Sequence, residues 1–278
     1  MRKTTFLMIT VAIASALAFT VRGYAETIIV PDAFKTVQQA VDNAKPNDTV
    51  IVKAGRYAEN VVINKPITLM AAEGSASPII SAVDRDKPVI KITETSLVRL
   101  SGITVTGSAS NAGVLLANAH NSTLRNVRAT KNLSGIVLSR SSGNTVIDST
   151  AEFNEIYGIY LEYSNANKVE NNTASNNNDK GFFISDSDSN AITGNNANLN
   201  TWNGMTIWSS DNNVITRNMT LRNTFGIVES DSKGNDLSDN TTLPNFYIIY
   251  PILLVYIGII FYLVEKNIAR LLYAKALT

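Results

Sequence analysis

Apolar and polar positions repeat along the chain in blocks that run from Gly113 to Asn240. Each block opens on a glycine, continues with alternating apolar residues and then reaches a serine and two asparagines. The third block reads GIYLEYSNANKVENNTASNN, from Gly158 to Asn177. The opening glycines, Gly113, Gly135, Gly158, Gly181, Gly204 and Gly226, set a period of 22 or 23 residues. A fixed period of this length marks a solenoid, in which each repeat packs only on its neighbours.

With the glycine as position zero, places +1 and +3 hold Val114 and Leu116, Ile136 and Leu138, Ile159 and Leu161, Phe182 and Ile184, then Met205 and Ile207. Strand side chains alternate between faces, so these pairs point together into the coil interior. Their burial, at about 25 cal/mol per Å², is the main stabilising term.

Position +6 holds Ser141, Ser164, Ser187, Ser210 and Ser232, and position +9 holds Asn144, Asn167, Asn190, Asn213 and Asn235, with Asn121 one place early in the first block. Five residues further on stand Asn126, Asn172, Asn195, Asn218 and Asn240. Parallel stacking sets equivalent residues ~4.8 Å apart, so each amide can donate to the next, and asparagine tolerates the left-handed backbone of a sharp bend. Recurrence in every coil assigns these residues to structure rather than to ligand binding. Glu229 stands at +3, where its predecessors are aliphatic. A carboxylate buried there would be costly, so the last coil is expected to be loosened or capped and the stack to end.

Upstream of the repeat, PDAFKTVQQAVDNAKPND places Phe34, Val37, Ala40, Val41 and Ala44 on one helical face, with Thr36 and Gln39 as a capping-box pair and Pro46 as the stop. A short helix here would cover the open end of the first coil. Alternating runs predict strands of less regular coils over 49–52, 61–63, 67–70, 89–92 and 97–105. The stretch VPDAFKTVQQAVDNAKPNDTVIVKAGRYAENVVINKPITL resembles the opening of NosD-type proteins, and the later blocks resemble that family's repeat, over about residues 27 to 240. The resemblance implies an all-β, right-handed, single-stranded parallel β-helix of the pectin-lyase-like kind. The family is associated with periplasmic copper delivery to a reductase, and many β-helix proteins are polysaccharide lyases or hydrolases.

Composition narrows the chemistry. There is no cysteine, His120 is the single histidine, and the formal net charge is +1. These values exclude a thiolate metal site and an imidazole cluster, and they argue against a nucleic-acid partner. Copper would want His, Met or Cys, and Met70, Met205 and Met219 are scattered, so the fold carries over from the resemblance and the copper does not. Outward positions +2, +4 and +5 gather Tyr160, Glu162, Tyr163, Phe183, Asp186 and Trp208. Aromatic rings beside carboxylates could stack on sugars and hold their hydroxyls, so Tyr160, Glu162, Tyr163, Phe183 and Trp208 are the candidate ligand site. Cross-strand aromatic packing or a partner protein is the competing use of the same face. Asp186, Asp188 and Asp211 are a candidate calcium site, because stacked carboxylates repel and a hard cation would relieve them; solvated turn carboxylates are the alternative. No compact pectin-cleaving motif is present, although Arg140, Glu162, Asp186 and Asp188 could be assembled into a catalytic set, and the fold alone does not make an enzyme.

The two ends of the chain concern the membrane. Residues 1–25 read as a secretory signal, with Arg2 and Lys3, an apolar stretch over 6–19 and Gly23-Tyr24-Ala25 as the cleavage site. Arg22 beside the cut keeps an uncleaved anchor as the competing reading. Residues 246–264 carry no charge and as a helix would span ~28 Å, about one bilayer core. Lys266, Arg270 and Lys275 follow in the tail, residues 265–278, and 235–245 contain no Lys or Arg, so the tail is expected in the cytoplasm and the β-helix (26–242) outside. Residues 241–245 read as a short linker. Sequons at Asn47, Asn121, Asn132, Asn171, Asn218 and Asn240 allow glycosylation where exposed. The sequence therefore reads as a membrane-anchored β-helix module binding carbohydrate or another envelope component, with a polysaccharide lyase or hydrolase, and then a NosD-like metalloenzyme accessory, as alternatives.

Overall fold

A computed structural model describes residues 25–244 and 246–276. The expected signal segment lies outside the described residues, apart from its last residue.

The described chain winds as a parallel β-helix, one coil per repeat, with three sheets running along its length. The nine-stranded sheet starts at Thr27–Val30 and ends at Val214–Thr216, and the eight-stranded sheet runs from Val61–Ile63 to Phe225–Ser230. The third sheet is five-stranded, from Arg56–Ala58 to Thr150–Glu152, and continues as single bridges through Thr173 and Asn196 to Met219. All of the expected interior pairs from Val114 and Leu116 to Met205 and Ile207 are fully buried. Their register is strict: Ile136 pairs with Ile159, Ile159 with Phe182 and Phe182 with Met205.

The hydrogen bonds at the corners explain the serines and asparagines. Asn167 Oδ1 accepts the backbone N–H of Asn144 at 2.9 Å and its Nδ2 donates to Asn190 Oδ1 at 3.1 Å and to the Ser141 carbonyl at 2.9 Å. Each asparagine thus caps a buried N–H in the preceding coil, which would otherwise go unpaired. The serines do the same: Ser164 Oγ accepts from Ser141 N at 3.0 Å, and Ser187 Oγ from Ser164 N at 2.9 Å.

Two members expected in these ladders are not in them. Asn121 and Asn126 are exposed in left-handed turns, and the ladder places are taken by the next residues, Ser122 and Val127. The left-handed residue is also not the ladder asparagine but the one before it: Tyr163, Ala166, Asn171 and Asn176 precede Ser164, Asn167, Asn172 and Asn177. Bending there turns the next side chain inward to its partner. The cost, roughly 1–2 kcal/mol for a residue with a Cβ, is offset by the capping bonds that the bend permits.

A further ladder, unforeseen, runs through Asn132, Asn154, Asn177, Asn200 and Asn223, all buried. It explains the glycines. A Cβ on Gly158 would sit 2.7 Å from Ala174 Cβ and 2.8 Å from Asn177 Nδ2, so this corner closes only around a residue with no side chain. Of the sequons, Asn132 and Asn218 are buried in ladders, whereas Asn47, Asn121 and Asn171 are exposed.

The capping helix spans Val37–Asn43, shorter than the apolar face suggested, with Phe34 packed on the core just before it. Thr36 Oγ1 accepts from Gln39 N at 3.1 Å, and the Glu59 carboxylate takes the N–H groups of Val37 and Gln38. The Gln38 side chain pairs with both backbone groups of Val62, on the edge strand of the eight-stranded sheet. Edge groups that could template another strand are thereby used up. The run 97–105 is two strands, Arg99–Ser101 and Thr104–Thr106, because Gly102 at φ +71° turns the corner between two sheets.

At the other end, Glu229 falls in register with Ile207 but is exposed, and it accepts from Asn235 Nδ2 at 2.6 Å. It ends that ladder where no further coil follows. The segment read as a linker is instead a strand, Thr241–Pro244, paired in parallel with Met219–Asn223. The C-terminal helix, Phe246–Ala276, extends through the region expected to be a separate tail, and Tyr250–Ile268 within it is long and apolar enough to cross a membrane.

Asn167→Ala or Asn190→Ala should cost about 1–3 kcal/mol, the penalty for a buried N–H left unpaired, and Asn121→Ala less, since it loses only asparagine's tolerance of its left-handed turn. Thermal melting of the three variants checks this; unchanged melting for the first two would overturn the ladder assignment.

Candidate functional site

The outer face of the eight-stranded sheet carries the candidate ligand residues because the same alternation that buries Ile159 and Leu161 turns Tyr160 and Glu162 outward. Tyr160 and Phe183 are in register and their rings stack at 5.0 Å and 7°. Trp208 lies parallel to Phe183 at 6.5 Å. Tyr157 leans on both Tyr160 and Phe183, at 5.1 and 5.2 Å. Lys180 Nζ sits over the rings of Tyr157 and Phe183 while gripped by both carboxylate oxygens of Asp179 at 2.9 Å. Tyr157 and Lys180 were not foreseen. Each stands just before an opening glycine, and that shared place was the available signal.

Tyr160, Phe183 and Trp208 therefore come together, and Glu162 lies beside them, accepting from Ser139 Oγ at 3.1 Å. Tyr163 does not join the stack; it sits at the left-handed corner under the guanidinium of Arg140, 5.5 Å from the ring centroid. The stacked rings cover one another's faces, so the strip is partly the cross-strand packing weighed above. Its open aromatic surface is Trp208, 48% exposed, with Nε1 donating to Asp231 at 3.1 Å, and Tyr163, 51% exposed.

Asp188 and Asp211 do stack in neighbouring coils, but their carboxylates are engaged as backbone caps. Asp188 Oδ1 accepts from Asp211 N at 2.7 Å and Asp211 Oδ1 from Lys233 N at 2.9 Å. Asp186 turns to Ser185 Oγ at 2.7 Å. Among the described residues no three His, Cys, Asp or Glu side chains gather as a metal cluster would, so the structure does not assemble the calcium site these three aspartates suggested. A depression of about 350 Å³ lies elsewhere, on the nine-stranded sheet, lined by Asn47, Ile67, Leu97, Arg99, Asn121 and Thr123 among others.

This architecture, a parallel β-helix with corner ladders and a decorated outer sheet, defines a class of the pectin-lyase-like kind. Within it, the profile of the periplasmic copper-binding protein NosD matches residues 41–203, and the chain belongs to the NosD family. A cell surface glycoprotein of Methanothermus fervidus is 29% identical over 128 residues, covering 45% of this chain; that stretch is 21% of the relative, so only a fifth of its length is shared. Among solved structures, an alginate lyase from Paenibacillus sp. str. FPU-7 is similar at 15% identity over 78% of this chain and 97% of its own, with a TM-score of 0.54. The GH136 lacto-N-biosidase of Eubacterium ramulus matches at 11% identity over 86% and 59%, with a TM-score of 0.64. The AlgE6 mannuronan C-5 epimerase A-module of Azotobacter vinelandii matches at 17% over 74% and 79%, with a TM-score of 0.52. At these identities the likeness shows the fold.

The copper in the family's description is not matched by the donors here. His120 Nδ1 accepts from Ser142 N at 3.1 Å, Met205 is buried in the coil interior, and Met219 is exposed near the last coil. Copper needs several His, Met or Cys ligands at one point, and among the described residues Met70, His120, Met205 and Met219 stand on four different strands, His120 four coils before Met205.

Burial, then the Glu162 carboxylate, pushes the Tyr160 hydroxyl well above the usual tyrosine range; burial, then Asp179, also raises that of Tyr157. Both disfavour the charged tyrosinate. Below pH ~10 folded and unfolded states both keep these protons, whereas above it only the unfolded chain releases them. Stability should therefore fall as pH rises past ~10, and Tyr160→Phe should flatten part of that fall. Denaturant melts between neutral and alkaline pH check this, and an identical alkaline slope in the variant would contradict it.

Proposed function

We propose that this NosD-family protein is a membrane-anchored module that displays its β-helix outside the cytoplasmic membrane and binds carbohydrate along the outer face of the eight-stranded sheet. The carrying observation is the parallel Tyr160, Phe183 and Trp208 stack ending in an open indole, with Asp231 fixed beside it. A sugar's C–H face would lie on Trp208, and the carboxylates of Asp186 and Asp231 in the adjoining column would accept its hydroxyls. Tyr160 and Phe183 hold the platform rigid, so little ordering is needed on binding.

The anchor is the C-terminal helix. Lys266, Arg270 and Lys275 at its far end, with none in 235–245, support a cytoplasmic C-terminus by the excess of basic residues on that side. The amino-terminal apolar segment supports export of the β-helix. The solved relatives named above include a lyase, a biosidase and an epimerase, and this is in keeping with a glycan ligand without identifying it.

The full chain in detergent, applied to a glycan array, should bind a subset of glycans without cleaving them. Trp208→Ala should weaken that binding about fivefold to tenfold, the worth of one aromatic stacking contact of ~1–1.4 kcal/mol, and leave melting unchanged. Absence of binding would refute the proposal, and new reducing ends or unsaturated products would make the protein an enzyme.

A further inference from the structure

The corner between the third sheet and the eight-stranded sheet carries a second cluster of exposed apolar residues, which adjoins the aromatic strip through Phe225, standing like Tyr157 and Lys180 just before an opening glycine. Leu199, Trp202, Phe225 and Leu243 are each about half exposed. They stand together by register: Leu199 N donates to the Leu221 carbonyl, Leu221 pairs with Leu243, and Phe225 N donates to the Trp202 carbonyl. One coil earlier the corresponding places hold Asn176 and Asp179, which separate this cluster from Phe153, exposed two coils before Leu199 in the same column.

These are the coils tethered to the C-terminal helix. Leu243 is three residues before Phe246, so the chain between them spans at most ~11 Å. The cluster occupies three successive coils, about 10 Å along the axis, comparable with the headgroup layer of a bilayer. Its composition suits that layer: Trp and Phe with leucines, and a single cation, Arg222, exposed in the Leu199 column.

We propose that this corner is a membrane foot: Leu199, Trp202, Phe225 and Leu243 insert into the headgroup region beside the anchor and lean the β-helix onto the bilayer. Trp202 and Trp208 flank one strand, Asn203–Trp208, and are attached roughly 20 Å apart. Resting on the Trp202 corner turns the Trp208 end away from the lipid and leaves it open to solvent. The inference rests on the membrane-anchored reading above.

The chain's two tryptophans make the test direct. Full-length Trp208→Phe, which keeps Trp202, and Trp202→Phe, which keeps Trp208, are reconstituted into phosphatidylcholine vesicles with or without bromine near the headgroup. With co-flotation established for each, brominated lipid should extinguish most of the Trp202 emission and leave that of Trp208 unaffected. Adding Phe225→Ser and Leu243→Ser to the Trp208→Phe protein should restore the Trp202 signal. Unquenched Trp202 in vesicles that float with the protein overturns the foot while sparing the anchor, and equal quenching of both tryptophans overturns the lean. Failure to float overturns the anchor and the foot with it.

Discussion

Each coil must pair the backbone N–H groups at its corners with the coil stacked above it, and this requirement organises the molecule. Each regular coil bends at four left-handed residues, as at Tyr163, Ala166, Asn171 and Asn176, and at each the polar backbone turns inward, away from water. A left-handed residue followed by a serine or asparagine satisfies it, as Tyr163 with Ser164 or Asn176 with Asn177. An unpaired N–H there would cost more than the bend does, so the ladders are maintained through every regular coil. The opening glycines belong to the same constraint, since the ladder through Asn177 lies where a Cβ at Gly158 would be.

A stack held by neighbours has two exposed ends, and they are treated differently. The first coil is covered by the Val37–Asn43 helix, whose Gln38 occupies the edge strand's hydrogen-bonding groups at Val62. The last coils end without a comparable helix lid: Glu229 takes the final amide of its ladder, and a parallel strand, Thr241–Pro244, passes directly into the apolar C-terminal helix. The corner through Leu199, Trp202, Phe225 and Leu243 becomes apolar over the same coils.

With interior and corners committed, chemistry is left to the outward positions, where coils differ. Trp202 precedes and Trp208 ends the strand Asn203–Trp208, so a lipid contact at one and a ligand contact at the other can coexist. Membership of the NosD family fixes the scaffold, while the His and Met donors that copper would need are spread over different strands among the described residues. A shared solenoid can keep its ladders while its outer residues change, because the ladders do not depend on them.

The period, the interior pairs, the serine ladder and most of the asparagine ladder were legible in the sequence, because each arises from a local alternation repeated at fixed spacing. The apolar helix at the far end was legible for the same kind of reason, its composition. Contacts between coils decided the rest. Asn121 and Asn126 match the local pattern yet fall outside the ladders, since only the stacked backbone shows that Ser122 and Val127 face inward. Lys180 reaches Tyr157 across a coil, Asp188 caps Asp211, and residues 241–244 form a strand because Met219–Asn223 is there to pair with. A linear pattern tells which face a side chain takes, but what it meets depends on the next coil, 22 or 23 residues away.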